Sequence, residues 1–172
     1  AYLDAFARII PDPSIEYIVT MDADFSHDPE DLPAILNEIS DHDLAIGSRY
    51  VEDGQIENWS IVRKLLSRYG NIYARFVTGL PMRDLTAGFA GYSREILSKI
   101  LASGELKSDG YAYQIEMKYL AYHLGAKIRE VPITFRERPS GVSKLNRSTI
   151  WEGIVMPWRL RFFKFRNRKR VC

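Results

Sequence analysis

Short apolar runs rich in β-branched and aromatic residues alternate with helix-patterned segments along this chain, and that alternation leaves few folds open. Tyr17-Ile18-Val19-Thr20-Met21 is long enough for one buried strand and Leu44-Ala45-Ile46-Gly47 for a second. The segment 128–135 alternates as a strand, and its Pro132 favours a sheet edge. Residues 87–92 read as a further strand, leading into a helix over 93–101. Helix patterns also cover 2–10, 61–77 and 111–123. Another starts at Asp28, which can cap it, with Pro29 at the first helical position and two acids in the first turn, and should run to about Ile39. Strands alternating with helices specify an α/β domain with a mainly parallel sheet. Ligands then bind beyond the carboxyl ends of the strands. A helix at the very start of such a domain normally returns from an earlier strand, so the chain is expected to lack its N-terminal segment.

Composition removes several classes. Aromatic residues make up 12% of the chain, enough to bury a core and exclude a disordered tail protein. The one cysteine, Cys172, excludes a disulfide framework and a thiolate zinc site. No apolar run approaches the roughly 20 residues that span a bilayer, and no signal peptide is visible. Charge is divided unevenly. From Arg136 onward lie 11 of the 24 Lys and Arg residues but only two of the 22 Asp and Glu, so an acidic body precedes a basic tail.

Where the first strand ends, the chain reads Asp22-Ala23-Asp24-Phe25-Ser26-His27-Asp28. Two acids one residue apart at a strand's carboxyl end can turn towards one cation, holding Mg²⁺ or Mn²⁺ with positions left for phosphate oxygens. By spacing alone they read equally well as loop acids and helix caps. The wider context separates the two readings. Residues 21–30 resemble the DxD segment of glycosyltransferase family 2, and within it the dolichol-phosphate (polyprenol-phosphate) mannosyltransferase branch. The resemblance continues through Gly47-Ser48-Arg49-Tyr50, Glu57-Asn58-Trp59 with Arg63 and Ser67, and Asp84-Leu85-Thr86-Ala87-Gly88-Phe89. It goes on through Asp109-Gly110-Tyr111 with Gln114-Ile115-Glu116, and through 131–135 followed by Arg138 and Ser140-Gly141-Val142-Ser143-Lys144.

The resemblance implies a Rossmann-like nucleotide-sugar-binding fold over 1–147 that lacks its first strand, with the donor usually GDP-mannose. Asp22, Ala23, Asp24, Arg138 and Lys144 would bind the donor. Asp22 and Asp24, with Ser26 as the third position, would hold the metal, Mg²⁺ or Mn²⁺. Arg49, Arg63 and Ser67 match the positions that clamp the acceptor, a dolichol or polyprenol phosphate; Arg63 and Ser67 lie four apart on one helix face. The catalytic set is then Asp24, Arg49, Arg63 and Asp109, the last as a positioning group. A phosphate oxygen is already anionic and attacks the anomeric carbon, with inversion, without a general base. His27 supports the DxD loop, and Glu116 belongs to a structural pair.

The tail, 148–172, places Trp151, Ile154, Val155, Trp158, Phe162 and Phe165 on one helical stripe beside Arg159, Arg161, Lys164, Arg166, Arg168, Lys169 and Arg170. This fits a helix lying on anionic lipid, peripheral to the cytoplasmic face of a membrane, with small membrane-anchoring subunits as possible partners. A helix packed on the domain with a solvated basic end is the plainer reading, and the aromatic face suits lipid better than nucleic acid. Two alternatives remain: a UDP-sugar-dependent polyprenol-phosphate glucosyltransferase, and a non-catalytic truncated module that binds membrane or RNA through the basic tail.

Overall fold

A computed structural model describes residues 2–106, 108, 112–137 and 147–162, the last stretch with side chains from Trp151 on. Its elements run α1 (Tyr2–Ile9), β1 (Tyr17–Thr20), α2 (Leu32–Ile39), β2 (Leu44–Ser48), β3 (Gln55–Ile56), α3 (Ile61–Thr78), β4 (Ala90–Ser93), α4 (Arg94–Ser103), α5 (Ala112–His123), β5 (Ile128–Pro132), β6 (Thr134–Phe135) and α6 (Arg147–Phe162). The expected α/β architecture is present. Asp28 caps the 3-10 turn Pro29–Asp31 that leads into α2, accepting the Glu30 N–H as expected.

The main sheet has the order β1-β4-β2-β5. β1, β2 and β5 point the same way, while β4 is inserted antiparallel between β1 and β2. β2 is buried along its whole length, because the sheet is covered on both faces. Leu44 and Ile46 face a large core with Phe6, Leu85, Tyr92, Leu97 and Met117. Ala45 faces a smaller core with Ile35, Ile39, Phe89, Val131 and Ile133. Gly91 permits the second contact: a Cβ there would stand 2.9 Å from Ile35 Cγ2 and 3.0 Å from Ile39 Cδ1, so a side chain would push α2 off β4.

Two expected strands are revised. The 87–92 run becomes a strand only at Ala90, because 83–88 bonds to side chains of other elements instead of joining a ladder. The 128–135 run is divided at Ile133. β5 lies at the sheet edge and ends on Pro132, as the missing N–H requires. β6 then leaves the main sheet and pairs with β3 in a separate two-stranded sheet.

The C-terminal helix joins the body. Met156 and Leu160 of α6 enter the large core, and the Tyr73 phenol of α3 donates to the Ile154 carbonyl at 2.8 Å. The face that packs is therefore not the aromatic stripe marked in the sequence. Trp151, Ile154, Trp158 and Phe162 stay exposed, Val155 is half-buried, and Phe165 lies outside the described residues. α3, packed beside α6, is similarly inverted: Ile61, Leu65, Tyr69, Ile72 and Phe76 recur every three or four residues and are all exposed. Among the described residues no helix is long and apolar enough to cross a membrane.

Candidate active site

The turn after β1 is fixed from several sides. His27 is buried between Phe89 and Phe135, with ring centroids 5.3 and 5.0 Å away. Its Nδ1 accepts the Asp22 N–H at 3.2 Å, so the neutral ring carries its proton on Nε2. Burial favours the same form, holding His27 below the usual histidine range. Ser26 donates its N–H, at 3.1 Å, and its hydroxyl to Asp24 Oδ1. Between them Phe25 adopts a left-handed φ of 62°, strained for an aromatic residue, with its ring exposed. The turn thus presents Asp22 and Asp24, both half-buried, at the carboxyl end of β1, with Ala23 exposed between them.

This donor set fits a hard divalent cation. Carboxylate oxygens suit Mg²⁺ and Mn²⁺, and a Cβ at Gly88 would stand 3.5 Å from Asp22 Oδ2, so glycine keeps that wall to bare backbone. Among the described residues no three His, Cys, Asp or Glu side chains converge to hold an ion. An ion held by Asp22 and Asp24 would have coordination positions left for water and substrate oxygens. Ser26, expected as the third ligand, is buried with its hydroxyl turned onto Asp24, and so braces that carboxylate.

Arg49, Arg63 and Ser67 are brought together by aromatic side chains. Arg49 follows β2 directly. Its guanidinium donates through Nε to Asp84 Oδ2 and through Nη2 to Asp84 Oδ1, both at 2.7 Å, and Nη2 also reaches Thr86 Oγ1 at 2.8 Å. Burial by itself would raise the Asp84 pKa; the guanidinium outweighs it and holds the carboxyl below the ordinary range. The Arg63 guanidinium carbon stacks 3.9 Å from the Trp59 ring centroid, and its Nη1 pairs with Glu137. Arg49 approaches that indole at 5.8 Å and the Tyr50 ring at 5.4 Å. The Tyr50 phenol in turn donates to Ser67 Oγ at 2.7 Å. Arg63 Nε and Trp59 Nε1 are buried and find no hydrogen-bond partner among the described residues.

A run of rings joins the two halves of the site. Phe135 stands edge-on to His27 at 5.0 Å and to Trp59 at 5.3 Å. The sequence of contacts Asp22, His27, Phe135, Trp59, Arg63 therefore connects the carboxylate turn to the arginine cluster without a break.

The segment 83–88 lies between the halves, and four elements hold its backbone. Glu130 of β5 accepts the N–H groups of Arg83 and Asp84 at 2.8 and 2.9 Å. Asn71 of α3 accepts those of Leu85 and Thr86 at 2.8 and 3.3 Å. Lys118 of α5 donates to the Ala87 carbonyl at 2.8 Å, and Thr20 of β1 to that of Gly88 at 3.0 Å. A loop so satisfied has no need of a ladder.

Asp109, Arg138 and Lys144 lie outside the described residues, as does the tail beyond 162. Glu116 is buried and accepts the Ser108 N–H at 2.8 Å. Sequence reasoning gave no role to Asp84, Trp59, Phe135, Lys118 or Glu137. Trp59, Asp84 and Phe135 fall within the segments that carry the family resemblance, whereas Lys118 and Glu137 fall outside them; a buried lysine is invisible in a helix pattern.

Residues 4–101 match Glycosyl transferase family 2. The chain is 46% identical over 147 residues to the polyprenol monophosphomannose synthase of Mycolicibacterium smegmatis, an alignment covering 84% of this chain and 55% of that protein. It is 41% identical over 140 residues to the undecaprenyl-phosphate mannosyltransferase of Micrococcus luteus, covering 81% of this chain and 57% of that protein. The chain thus spans little more than half the length of these curated relatives.

Proposed function

The chain belongs to glycosyl transferase family 2, and from that premise we propose that it forms the catalytic part of an enzyme moving mannose from GDP-mannose to a polyprenol or dolichol phosphate, with inversion at the anomeric carbon. The observation that carries this reading is the pair of arginines against Trp59, joined through Phe135 and His27 to the Asp22–Asp24 turn. Both relatives are named for mannose and for a polyprenyl lipid. A lipid phosphate needs cations and no base, and the arginine cluster offers them: Arg63 already receives the carboxylate of Glu137, an anionic oxygen of the kind a phosphate presents.

Asp84 holds the Arg49 guanidinium in one plane, and Trp59 does the same for Arg63, so two cationic groups are oriented before the acceptor arrives. Asp22 and Asp24 would hold Mg²⁺ or Mn²⁺, which when bound supplies positive charge to the diphosphate leaving group. By family resemblance Arg138 and Lys144 assist on the donor side. The exposed apolar residues of α3 and α6 support peripheral attachment to a membrane surface, and α3 carries Arg63 in its first turn; attachment at the cytoplasmic face is part of the proposal. An acceptor phosphate at Arg63 would then lie near the lipid surface.

The test is transfer by the natural full-length protein with Mn²⁺, polyprenyl phosphate and either GDP-mannose or UDP-glucose. The expected product is an acid-labile lipid-linked mannose from GDP-mannose alone. A lipid-linked glucose from UDP-glucose would refute the sugar and nucleotide assignment, and no lipid-linked sugar from either donor would refute the acceptor.

A further inference from the structure

Lys118 is fully buried on α5, which is rare for a lysine, and no part of the chemistry above uses it. Its ammonium donates to the carbonyls of Ala87 at 2.8 Å and Gln114 at 3.3 Å. Ala87 belongs to the segment whose Asp84 holds Arg49, so the lysine braces the acceptor-side arginine from behind. Three charged groups face it from three other elements: Asp84 on the 83–88 segment, Arg49 after β2 and Glu130 on β5. With Lys118 protonated these four groups balance, two positive and two negative. With Lys118 neutral the cluster carries one uncompensated negative charge directly behind Arg49.

We propose that Lys118 takes up a proton when an anionic phosphate group docks against Arg49, so that acceptor binding is linked to proton uptake around neutral pH. This rests on the reading of Arg49 as an acceptor-phosphate residue. The physical cause is one of competition for charge. A phosphate beside Arg49 adds negative charge to a cluster already shielded from water, and the interior responds at the group able to change its charge. Arg49 cannot, since guanidinium stays protonated. Asp84, held below the ordinary carboxylate range, is already ionised. Lys118 can: burial pulls it down to about 7, while Asp84 and Glu130 pull the other way. Its two carbonyl partners accept from either an ammonium or an amine, so the change of charge requires no rearrangement of the 83–88 backbone.

The experiment is calorimetric titration of the natural full-length protein in detergent with farnesyl monophosphate, at pH 7.5 to 8, in two buffers of different ionisation enthalpy. In this window the probe is mostly dianionic, a phosphate monoester having its second ionisation near pH 6, so its own proton release is small. The wild type should show net proton uptake, and its affinity should fall as pH rises, towards the tenfold per pH unit that limits a one-proton linkage. Lys118→Met should bind more weakly, with no uptake and a flat pH profile, and a melting curve confirms that it is folded. Glu130→Gln removes a negative charge that favours the ammonium, so its uptake should move to lower pH. Binding by the wild type without uptake, or an uptake left unchanged in both variants, overturns the proposal and leaves the acceptor reading intact. Failure of the wild type to bind farnesyl monophosphate overturns the acceptor reading and the proposal with it.

Discussion

Arg49 and Asp84 meet through two parallel hydrogen bonds of 2.7 Å, with the Arg49 backbone N–H adding a third to the same carboxylate at 3.1 Å. Both side chains are almost wholly inside the protein. Removing one member of such a pair leaves an unpaired buried charge, so Asp84→Asn should cost about 3–5 kcal/mol of stability in urea unfolding. The sign of the pH dependence follows from the depressed Asp84 pKa. Its contribution is present above the unfolded-state carboxylate pKa and is lost as pH falls through the lower folded value. Wild type and Asp84→Asn should therefore converge in stability in acid; a constant gap across the acid range would contradict this.

The paired acids of the β1 turn should matter for turnover more than for folding. Asp24 is half-buried in a loop, so Asp24→Asn should shift the melting temperature little while removing most metal-dependent transfer from GDP-mannose. Retention of most of the turnover would show that the metal role is misplaced.

Lys118 gives a stability signature that needs no ligand. Its folded pKa lies below that of an unfolded lysine, so between about pH 7 and 10 the unfolded chain binds more protons and wild-type stability rises with pH. Relative to Lys118→Met, the wild type should gain up to about 1.4 kcal/mol per pH unit across that window. Parallel stability profiles for the two proteins would mean that Lys118 does not titrate there.

On the apolar face, Trp158 and Phe162 stack at 5.8 Å on the exposed side of α6, and Phe76 is 86% exposed on α3. Trp158→Ala with Phe162→Ala should weaken co-sedimentation with anionic vesicles even at high salt, since apolar burial is not screened as charge is. Because Met156 and Leu160 do the packing, the double variant should keep the wild-type melting temperature. A lower melting temperature with unchanged sedimentation would make the stripe a packing face.

Much of the fold is legible in the residues because local signals carry it. Asp28 followed by Pro29 marks one helix start, and the apolar runs at 17–21 and 44–47 mark two strands of the sheet, observed at 17–20 and 44–48. Less visible are features set by distant partners. Nothing local in 87–89 predicts that Lys118 and Thr20 take up its carbonyls, so the residues read as a strand where the fold has a loop. α3 and α6 carry apolar residues on two sides, and periodicity does not say which side packs. In the candidate site, Asp22, Asp24, Arg49 and Arg63 are legible as candidates by residue type and resemblance. Their connection through His27, Phe135 and Trp59 is not, because ring packing between a turn, a strand and a helix start leaves no spacing in the sequence.

Steady-state kinetics of Arg63→Lys, with donor and acceptor varied separately, separates an acceptor-phosphate role for Arg63 from a donor role. Lysine keeps the charge but loses the planar fork and the stacking on Trp59. Loss of one charge-assisted hydrogen bond, at about 1.5–3 kcal/mol, should lower kcat/KM for the polyprenyl phosphate by roughly 10- to 100-fold. The KM for GDP-mannose should stay close to wild type. An equal loss on the donor side would place Arg63 at the nucleotide sugar instead of the acceptor phosphate.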